Sequence, residues 1–413
     1  MSRRWMAFLE SNTTGTGREF CAAARARGLR PVLLARDPGR YPYAAEDTVD
    51  TLTLDTADPD AVLSALRGLA ADAGLAGVTS SSEYYVADAA RAAAGLGLPG
   101  PDGDAVQACR AKDVQRARHR AAGVPVPRFR AVADVEAALA AAGAIGYPVV
   151  LKPVSGSGSA GVRLCRDAQD TRDWARRLLT EGTGARILVE EAVSGPEFSV
   201  ETFDGEVVTV VAKHLGPAPY FVETGHDIPA ATPGPTADAL GETAVHALRA
   251  LGLGWGAAHT ELRWTLGGPV VIEVNPRLAG GMIPVAVRAA LGVDLVDAVV
   301  ARAADLPAAA PAPGAGHAAV RFVRAARPGR VTAVRGLPAA AASPGVLAAH
   351  ATTAPGRDVR ITHSFQDRLA CVVAAAPDPL RAARRALAAA DLIEIDLDPV
   401  PAPRLSRERA ATR

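Results

Sequence analysis

Two glutamates and one asparagine are spaced so that a β-hairpin would place their side chains on one face. With Leu266–Gly268 as a three-residue loop, Glu261 lies directly opposite Glu273, and the alternation of a strand puts Asn275 on the same face. Directly opposed acids destabilise a sheet unless a cation neutralises them. Carboxylate and amide oxygens are hard ligands that suit Mg²⁺, and Mn²⁺ is compatible with the same set. The spacing therefore predicts a metal-binding hairpin over residues 257–277.

The alternative for this acid pair is a solvent-facing position on an amphipathic hairpin, where isolated charges contribute little. The neighbouring residues argue against it, because the second strand is apolar and ends in Asn-Pro-Arg rather than in a plain polar turn. Arg277 follows Asn275 closely, where a guanidinium can bind a phosphate or carboxylate through two parallel hydrogen bonds. His259, at the near end of the same face, is predicted to brace the metal site rather than to bind the metal.

A glycine- and serine-rich segment joins two stretches that read as strands, 147–152 and 162–165. Such a turn is a hairpin tip whose exposed backbone N–H groups can fold over phosphate oxygens. It is not a Walker loop, because the sequence has no GxxxxGKS/T pattern and no helical pattern follows the turn directly. Lys152 ends the first strand, where a buried ammonium needs an anion. The loop residues with this predicted role are Ser155, Gly156, Ser157, Gly158 and Ser159.

The first hundred residues alternate short β-rich runs with alanine-rich helical stretches, which predicts an open parallel α/β sheet. Gly95, Gly97 and Gly100 satisfy GxGxxG, but they follow a helical pattern, whereas the dinucleotide fingerprint must follow a strand and open a helix. We therefore reject that match. The segment 12–17 does follow the first strand, and an ordinary tight turn is favoured there over an anion site.

The remaining chain predicts further strands and helices around the two motifs. The stretch 197–203 is predicted to be the partner of the strand 186–192, and 216–235 is predicted to be loop, because it contains four prolines and little periodicity. From these patterns we divide the chain into an N-terminal α/β domain (1–106), a core (107–310), a C-terminal α+β subdomain (317–400) and a basic tail (401–413) expected to be disordered.

Composition limits the classes of partner. Hydrophobic residues make up 49% and charged residues 22%, which is typical of a globular protein with a large core. Lys and Arg total 45 against 44 Asp and Glu, so no overall field would attract nucleic acid or an anionic membrane, and any anionic ligand must be held locally. The start of the chain lacks a secretory signal, and the four cysteines fit no zinc spacing, so we expect a cytoplasmic protein. The sequence permits a homodimer formed through the first unit.

The order of these motifs resembles the ATP-grasp superfamily, and within it the carboxylate–amine ligases of the L-amino acid ligase type. The resemblance covers nearly the whole chain and is specific because several motifs occur together. It implies an α/β ATP-grasp fold with an N-terminal open parallel α/β (pre-ATP-grasp) domain, a lid at about 125–190 and a C-terminal α+β extension. It also implies small-molecule carboxylate and amine substrates. The motifs lie at Ala257 to Leu262, Val271 to Arg277, Lys152 to Gly161, Val189 to Val193, Gly195 to Glu201, and around Lys112.

The resemblance also implies roles for individual residues. Lys112 and Lys152 would contact the phosphates of ATP, with the glycine loop closing over them. Glu197 would hold the ribose hydroxyls, and His226 would orient the carboxylate substrate or help to deprotonate the amine, with a purely structural hydrogen bond as the equal alternative. The segment that resembles the adenine-binding hinge contains Glu190, Glu191 and Val193.

The reaction implied is ATP-dependent amide formation through an acylphosphate, with Mg²⁺ on Glu261, Glu273 and Asn275 and with Lys152, Arg277 and His226 as the catalytic side chains. Gly280 and Gly281 have no side chains, so they would leave space for a carboxylate substrate, the acceptor of the phosphoryl group, that is larger than alanine. Two other functions share the same ATP site, namely a carboxylase-type enzyme that phosphorylates bicarbonate and a non-catalytic ATP-binding protein.

Overall fold

The computed structural model of the chain describes residues 4–12, 16–181 and 186–399. The basic tail predicted at 401–413 lies outside these residues, as do parts of the 12–17 turn. None of the helices in the described ranges is long and apolar enough to cross a membrane.

The chain begins with a parallel four-stranded sheet covered by helices, as predicted. Its strands lie in the order β3-β2-β1-β4, so the strand order reverses between β1 and β4. In such sheets the crevice at the carboxyl ends of the strands beside the reversal is the usual place for a ligand. The elements are β1 (Trp5–Leu9), α1 (Thr16–Ala26), β2 (Arg30–Ala35), α2 (Pro42–Glu46), β3 (Asp50–Thr53), α3 (Pro59–Ala73), β4 (Leu75–Thr79) and α4 (Val86–Ala94).

A second, antiparallel sheet in the order β5-β8-β6-β7 carries the glycine loop. The loop joins β6 to β7, and Val149 pairs with Cys165 across these two strands, which confirms the predicted hairpin tip. Helices α7 and α8 bury alanines, Ile145, Trp174 and Leu178 against this sheet. The elements are α5 (Gly103–Cys109), α6 (Lys112–Ala121), β5 (Phe129–Val132), α7 (Val135–Ile145), β6 (Val149–Pro153), β7 (Arg163–Cys165), α8 (Ala168–Glu181) and β8 (Ile187–Glu191).

The centre of the molecule is an eight-stranded sheet in the order β13-β12-β9-β10-β11-β14-β18-β16. It includes strands from both sides of the predicted boundary at 310–317, so one continuous sheet joins the core to the C-terminal extension. The elements are β9 (Glu197–Phe203), β10 (Glu206–Leu215), β11 (Glu223–Ile228), α9 (Gly234–Ala250), β12 (Ala257–Thr265), β13 (Gly268–Asn275), α10 (Ile283–Leu291), α11 (Leu295–Ala303), β14 (His317–Arg324), β15 (Gly329–Arg335), α12 (Leu337–Ala341), β16 (Val346–Ala351), β17 (Asp358–Val359), β18 (Arg368–Ala376), α13 (Pro379–Ala390) and β19 (Glu394–Asp398), of which β17, β15 and β19 form a separate small sheet.

Two sequence-based predictions about strand pairing are wrong. The stretch 197–203 does not pair with β8; as β9 it lies between β12 and β10, whereas β8 lies between β5 and β6. The predicted loop 216–235 contains β11, which pairs with β10 and β14. The residues of β11, Glu-Thr-Gly-His-Asp-Ile, have no apolar alternation, so only the two neighbouring strands define it.

Helix α9 packs on one face of the β12–β13 hairpin, and the polar side chains of the hairpin lie on the other face. Leu240, Ala244 and Leu248 pack against Leu262 and Val274 of the hairpin. Because side chains alternate along a strand, the intervening residues of β12 and β13 point to the opposite side. Those residues include His259, Glu261, Glu273 and Asn275.

Candidate active site

The hairpin of β12 and β13 brings Glu261 opposite Glu273, as predicted, but the length of the turn and the register of the strands differ from the prediction. The turn has two residues rather than three, since Thr265 pairs with Gly268. Counting back from that turn would place Glu261 opposite Ile272. The register shifts between Leu262 and Glu261, so that Ile272 is an extra residue on its strand, a β-bulge that restores the facing acids.

Helix α6 binds the outer edge of β13 and stabilises this register. The amide side chain of Gln115 donates to the carbonyl of Val274 at 2.8 Å and accepts its N–H at 2.9 Å. The guanidinium of Arg116 donates to the carbonyl of Ile272 at the bulge. β13 is an edge strand, so these side chains satisfy backbone groups that a neighbouring strand would otherwise pair.

The carboxylate of Glu261 belongs to a cluster of three acids around one ammonium. The Nζ atom of Lys213 lies 3.0 Å from Glu261, 3.1 Å from Glu197 and 2.8 Å from Glu223. Burial, which leaves the Lys213 side chain 2% exposed, would lower its pKa, but the three carboxylates raise that pKa well above its usual range. Lys213 is therefore charged and was missed by sequence reasoning, as was Glu223.

His259 lies between two acids, where the sequence predicted a bracing role. Its Nδ1 is 2.7 Å from Glu201 and its Nε2 is 3.2 Å from Glu261. Burial would lower the pKa of His259, whereas Glu201 and Glu261 raise it to about 9. The imidazole is thus protonated near neutral pH and adds a second positive charge beside Glu261.

Glu273 is bound by the ammonium of Lys112, at the first turn of α6. The Nζ of Lys112 lies 3.0 Å from Glu273 and donates to the carbonyl of Gly156 at 2.6 Å. Its backbone N–H donates to Val154 at 2.9 Å. Lys112 therefore ties the glycine loop directly to the hairpin, which brings together three parts of the predicted nucleotide site.

Lys152 lies in a buried ion cluster with Glu190 and Arg116. Its Nζ is 2.5 Å from one carboxylate oxygen of Glu190, and Arg116 Nε is 2.6 Å from the other. Burial would raise the pKa of Glu190, but Arg116 and Lys152 lower it. Burial lowers the pKa of Lys152 more than Glu190 raises it. The predicted phosphate ligand and the predicted hinge residue are therefore partners of each other.

The other residues predicted to hold the nucleoside are also bonded within the protein. Glu191 is half-buried and pairs with Arg128, and its N–H donates to the Arg128 carbonyl at 2.9 Å. The carbonyl of Val193 accepts from Arg263 at 3.0 Å. Glu197 accepts from Arg263 at 3.0 and 3.1 Å in addition to its contact with Lys213. The structure thus groups Glu197 with the acidic cluster around Lys213.

Arg277 reaches the first sheet. It donates twice to one carboxylate oxygen of Glu83, at 2.6 and 3.1 Å, on the segment that follows β4. Burial would raise the pKa of Glu83, but Arg277 lowers it. The predicted partner of Arg277 was a substrate phosphate or carboxylate; a protein carboxylate occupies that position here.

A pocket lies where the first sheet, the glycine loop and the end of the hairpin meet. A larger surface groove between α5, α6 and α9 contains none of the predicted site residues, so pocket size alone would not indicate the site. The residues that line the smaller pocket include Glu83, Tyr84, Arg110, Gly156, Glu273, Asn275 and Arg277.

His226 is buried on β11, and within the described residues neither of its ring nitrogens has a hydrogen-bond partner. Burial lowers its pKa to about 3, so the ring is neutral at ordinary pH. A carboxylate oxygen of Glu223 lies 3.7 Å from its Nε2. A buried imidazole without a partner is free to hydrogen-bond a substrate.

The two glycines after Arg277 differ in the space around them. A Cβ atom on Gly281 would lie 2.7 Å from Nε2 of His226, and its φ of +60° is strained for other residues. A Cβ atom on Gly280 would meet nothing within 4 Å. The space beside Gly280 is therefore open, and His226 fills the space beside Gly281; that these glycines make room for a large acceptor stays a prediction.

Three family models match consecutive parts of the chain. They describe an ATP-grasp N-terminal domain at residues 21–100, an ATP-grasp domain at 145–285 and an L-amino acid ligase C-terminal domain 2 at 321–398. The uncharacterized protein y4rH of Sinorhizobium fredii is 38% identical over 377 residues, which cover 89% of this chain and 78% of that protein.

Two further comparisons are with a ligase sequence and with a solved ligase structure. The alanine–anticapsin ligase of Bacillus amyloliquefaciens is 28% identical over 261 residues, which cover 56% of this chain and 55% of that protein. The crystal structure of an L-amino acid ligase from Bacillus licheniformis superposes with a TM-score of 0.80 at 22% identity, over 96% of this chain and all of that one. This likeness confirms the predicted fold class.

The charge on Lys213 gives a first prediction. Lys213→Met would leave three buried carboxylates without their shared cation, and we expect a loss of about 3–5 kcal/mol in the free energy of unfolding. Chemical denaturation measures it. The matched control is Arg330→Met, because Arg330 forms an exposed pair with Asp358 at 4.0 Å and we expect a change of less than about 0.5 kcal/mol. Equal effects of the two variants would contradict the charge balance described above.

The raised pKa of His259 gives a second prediction. A histidine whose pKa is about 9 in the folded protein and about 6.5 unfolded stabilises the fold fully below pH 6.5, and this contribution disappears as the pH rises through 9. We expect Glu201→Gln to cost about 1–3 kcal/mol at pH 6 and much less at pH 9.5. Denaturation at both pH values measures the difference, and a constant cost would show that His259 does not titrate in this window.

Proposed function

Because this chain belongs to the ATP-grasp superfamily, and within it to the carboxylate–amine ligases, we propose that it joins two amino acids or amino-acid-like metabolites through an amide bond. A carboxylate does not react with an amine in water because its leaving group would be oxide. Transfer of the γ-phosphoryl group of ATP to the carboxylate gives an acylphosphate and ADP, and attack by the amine then releases phosphate. The pocket beside Glu273, Asn275, Arg277 and Gly156 carries this proposal, because it joins the predicted metal, phosphate and acceptor residues.

The divalent metal that ATP-grasp enzymes use with ATP would be held by Glu261, Glu273 and Asn275, and we propose Mg²⁺, with Mn²⁺ as a substitute. The two carboxylates already face each other and each contacts an ammonium, so this position attracts positive charge. The described residues contain no group of three or more His, Cys, Asp or Glu side chains arranged for a metal, so phosphate oxygens and water would complete the shell. The ion would neutralise charge on the transferring phosphoryl group.

The lysines would bind the phosphates, with Lys112 already at the glycine loop and Lys152 behind it. All three lysines of the sequence, including Lys213, are buried at this site, although the chain has 45 basic residues. An ammonium with three donors can bind several oxygens at once, which suits a phosphate cluster. For the nucleoside, Glu190, Glu191, Val193 and Glu197 stay the predicted residues, and the ribose would share Glu197 with Arg263 and Lys213.

The acceptor, which is the substrate whose carboxylate receives the phosphoryl group, would lie between Arg277 and His226. Arg277 would bind the carboxylate of the acceptor or the acylphosphate. Glu83, which accepts a hydrogen bond from Arg277, would bind the ammonium group of an amino acid. His226, neutral and without a partner among the described residues, would orient the acceptor by a hydrogen bond. The glycine loop would exclude water, which would otherwise hydrolyse the acylphosphate.

The proposal is tested by measuring ADP release over pairs of carboxylates and amines, amino acids included, with hydroxylamine as a trap. We expect one class of amino acid to release ADP and to yield a hydroxamate. Glu273→Gln should lower the rate by at least about a hundredfold, because a metal ligand and a partner of Lys112 are lost. Turnover that needs bicarbonate would favour the carboxylase-type function, and nucleotide binding without ADP release for any acid would favour a binding protein.

The space beside Gly280 predicts how acceptor size is limited. Gly280→Trp should fill that space and reduce kcat/KM for large acceptors by about ten- to two-hundredfold while small acceptors retain theirs. Gly68→Trp on α3 is the matched control, because it is also an open position and lies in the first unit. An unchanged substrate profile for Gly280→Trp would show that Gly280 does not line the acceptor site.

A further inference from the structure

A short turn in the C-terminal extension, residues 362–367, is held rigidly from inside. The carboxylate of Asp367 is buried and accepts three hydrogen bonds of 2.8 Å, from the N–H and hydroxyl of Thr362 and from the N–H of His363. The hydroxyl of Ser364 accepts the N–H of Gln366 and thereby caps the 3-10 helix Phe365–Asp367. This turn, which we call the 362–367 turn, therefore presents Phe365 at a fixed position.

Phe365 packs directly on the glycine loop. Its N–H donates to the carbonyl of Gly158 at 3.0 Å. A Cβ atom on Gly158 would lie only 2.2 Å from Cδ1 of the Phe365 ring, and φ of Gly158 is +63°. The contact therefore needs glycine at that point of the loop for two reasons, the space taken by the ring and the left-handed backbone.

His363 of the same turn is connected through two aromatic side chains to the other end of the glycine loop. The ring of His363 stacks on Tyr220 with centroids 3.6 Å apart and an angle of 4°. Tyr220 meets the edge of Trp174 on α8 at 6.1 Å, and the indole N–H of Trp174 donates to the carbonyl of Gly161 at 2.9 Å. Both ends of the segment 158–161 are thus connected to the C-terminal extension.

The residue that follows the turn also contacts the acidic cluster around Lys213. Arg368, the first residue of β18, donates to Glu223 at 2.7 Å, and Glu223 binds Lys213 at 2.8 Å. One rigid segment therefore touches the loop through Phe365 and the cluster through Arg368. The glycine loop and the acidic cluster therefore contact neighbouring residues of one segment, 365–368.

We propose that the 362–367 turn is a latch that positions the glycine loop in its closed conformation over the reacting groups, and this role rests on the proposed function. Phe365 is 41% exposed, so the contact is small enough to open during each cycle of substrate binding and product release. Phe365 and His363 are positioning residues, because they act through the loop and touch no reacting atom.

The latch is tested first without turnover, by hydrogen exchange of the full-length protein. Phe365→Ala should make the amides of residues 155–161 exchange about five-fold faster, because apolar contact that stabilises the closed loop is lost. Phe365→Tyr keeps the ring and should restore the slow exchange. Leu347→Ala is the matched control, since Leu347 is 56% exposed on β16 of the same extension. Exchange that is unchanged in Phe365→Ala would overturn the latch.

The ratio of ADP released to amide formed supplies a second readout. In Phe365→Ala the open loop should admit water, so the ratio should rise at least about two-fold, with KM for ATP increased and the free energy of unfolding unchanged. A ratio equal to that of the unaltered protein would overturn the water-excluding role of the latch. Failure of every acid to release ADP in the unaltered protein would contradict the proposed function, and the exchange rates would still decide the latch.

Discussion

Two carboxylates face each other across the β12–β13 hairpin, and the rest of the site is arranged around the repulsion between them. Glu261 and Glu273 are each bound by an ammonium, from Lys213 and Lys112, and His259 adds a third cation. In a half-buried sheet such a pair is destabilising without compensation. The partners of Lys213 come from β9, β11 and β12, so the charge balance requires the central sheet to assemble in its observed order.

The choice of basic residue follows from the same constraint. Almost all basic residues of this chain are arginines, including those in the exposed ion pairs, whereas the three lysines are all buried at the site. A compact ammonium directs three N–H bonds at three separate carboxylates, as Lys213 does with Glu197, Glu223 and Glu261. A planar guanidinium is larger and pairs best with one carboxylate at a time, so it would not fit this cage. The rarity of lysine was a signal in the sequence that could have identified Lys213.

Local sequence patterns were sufficient to predict much of the fold and the facing acids. They were insufficient where contacts between residues far apart in the sequence determine the structure. The parallel first sheet, the glycine hairpin and α9 follow from periodicity and turn residues. The register of the hairpin did not, because the bulge at Ile272 depends on Arg116 of α6, far away in sequence. Strand β11 was missed because its polar residues face ion partners, and the pairing of Arg277 with Glu83 joins two units that no sequence spacing connects.

On the proposed function, the ammonium groups at the hairpin would both stabilise the fold and bind the nucleotide. In the structure Lys112 contacts Glu273 and Lys213 contacts Glu261, so each carboxylate of the facing pair has a cation beside it. On the proposed function, a divalent cation between Glu261 and Glu273 would take over that balance. The two ammonium groups would then be available to phosphate oxygens with little movement, because Lys112 already lies on the glycine loop. The same charges would therefore stabilise the fold first and the transferring phosphoryl group afterwards.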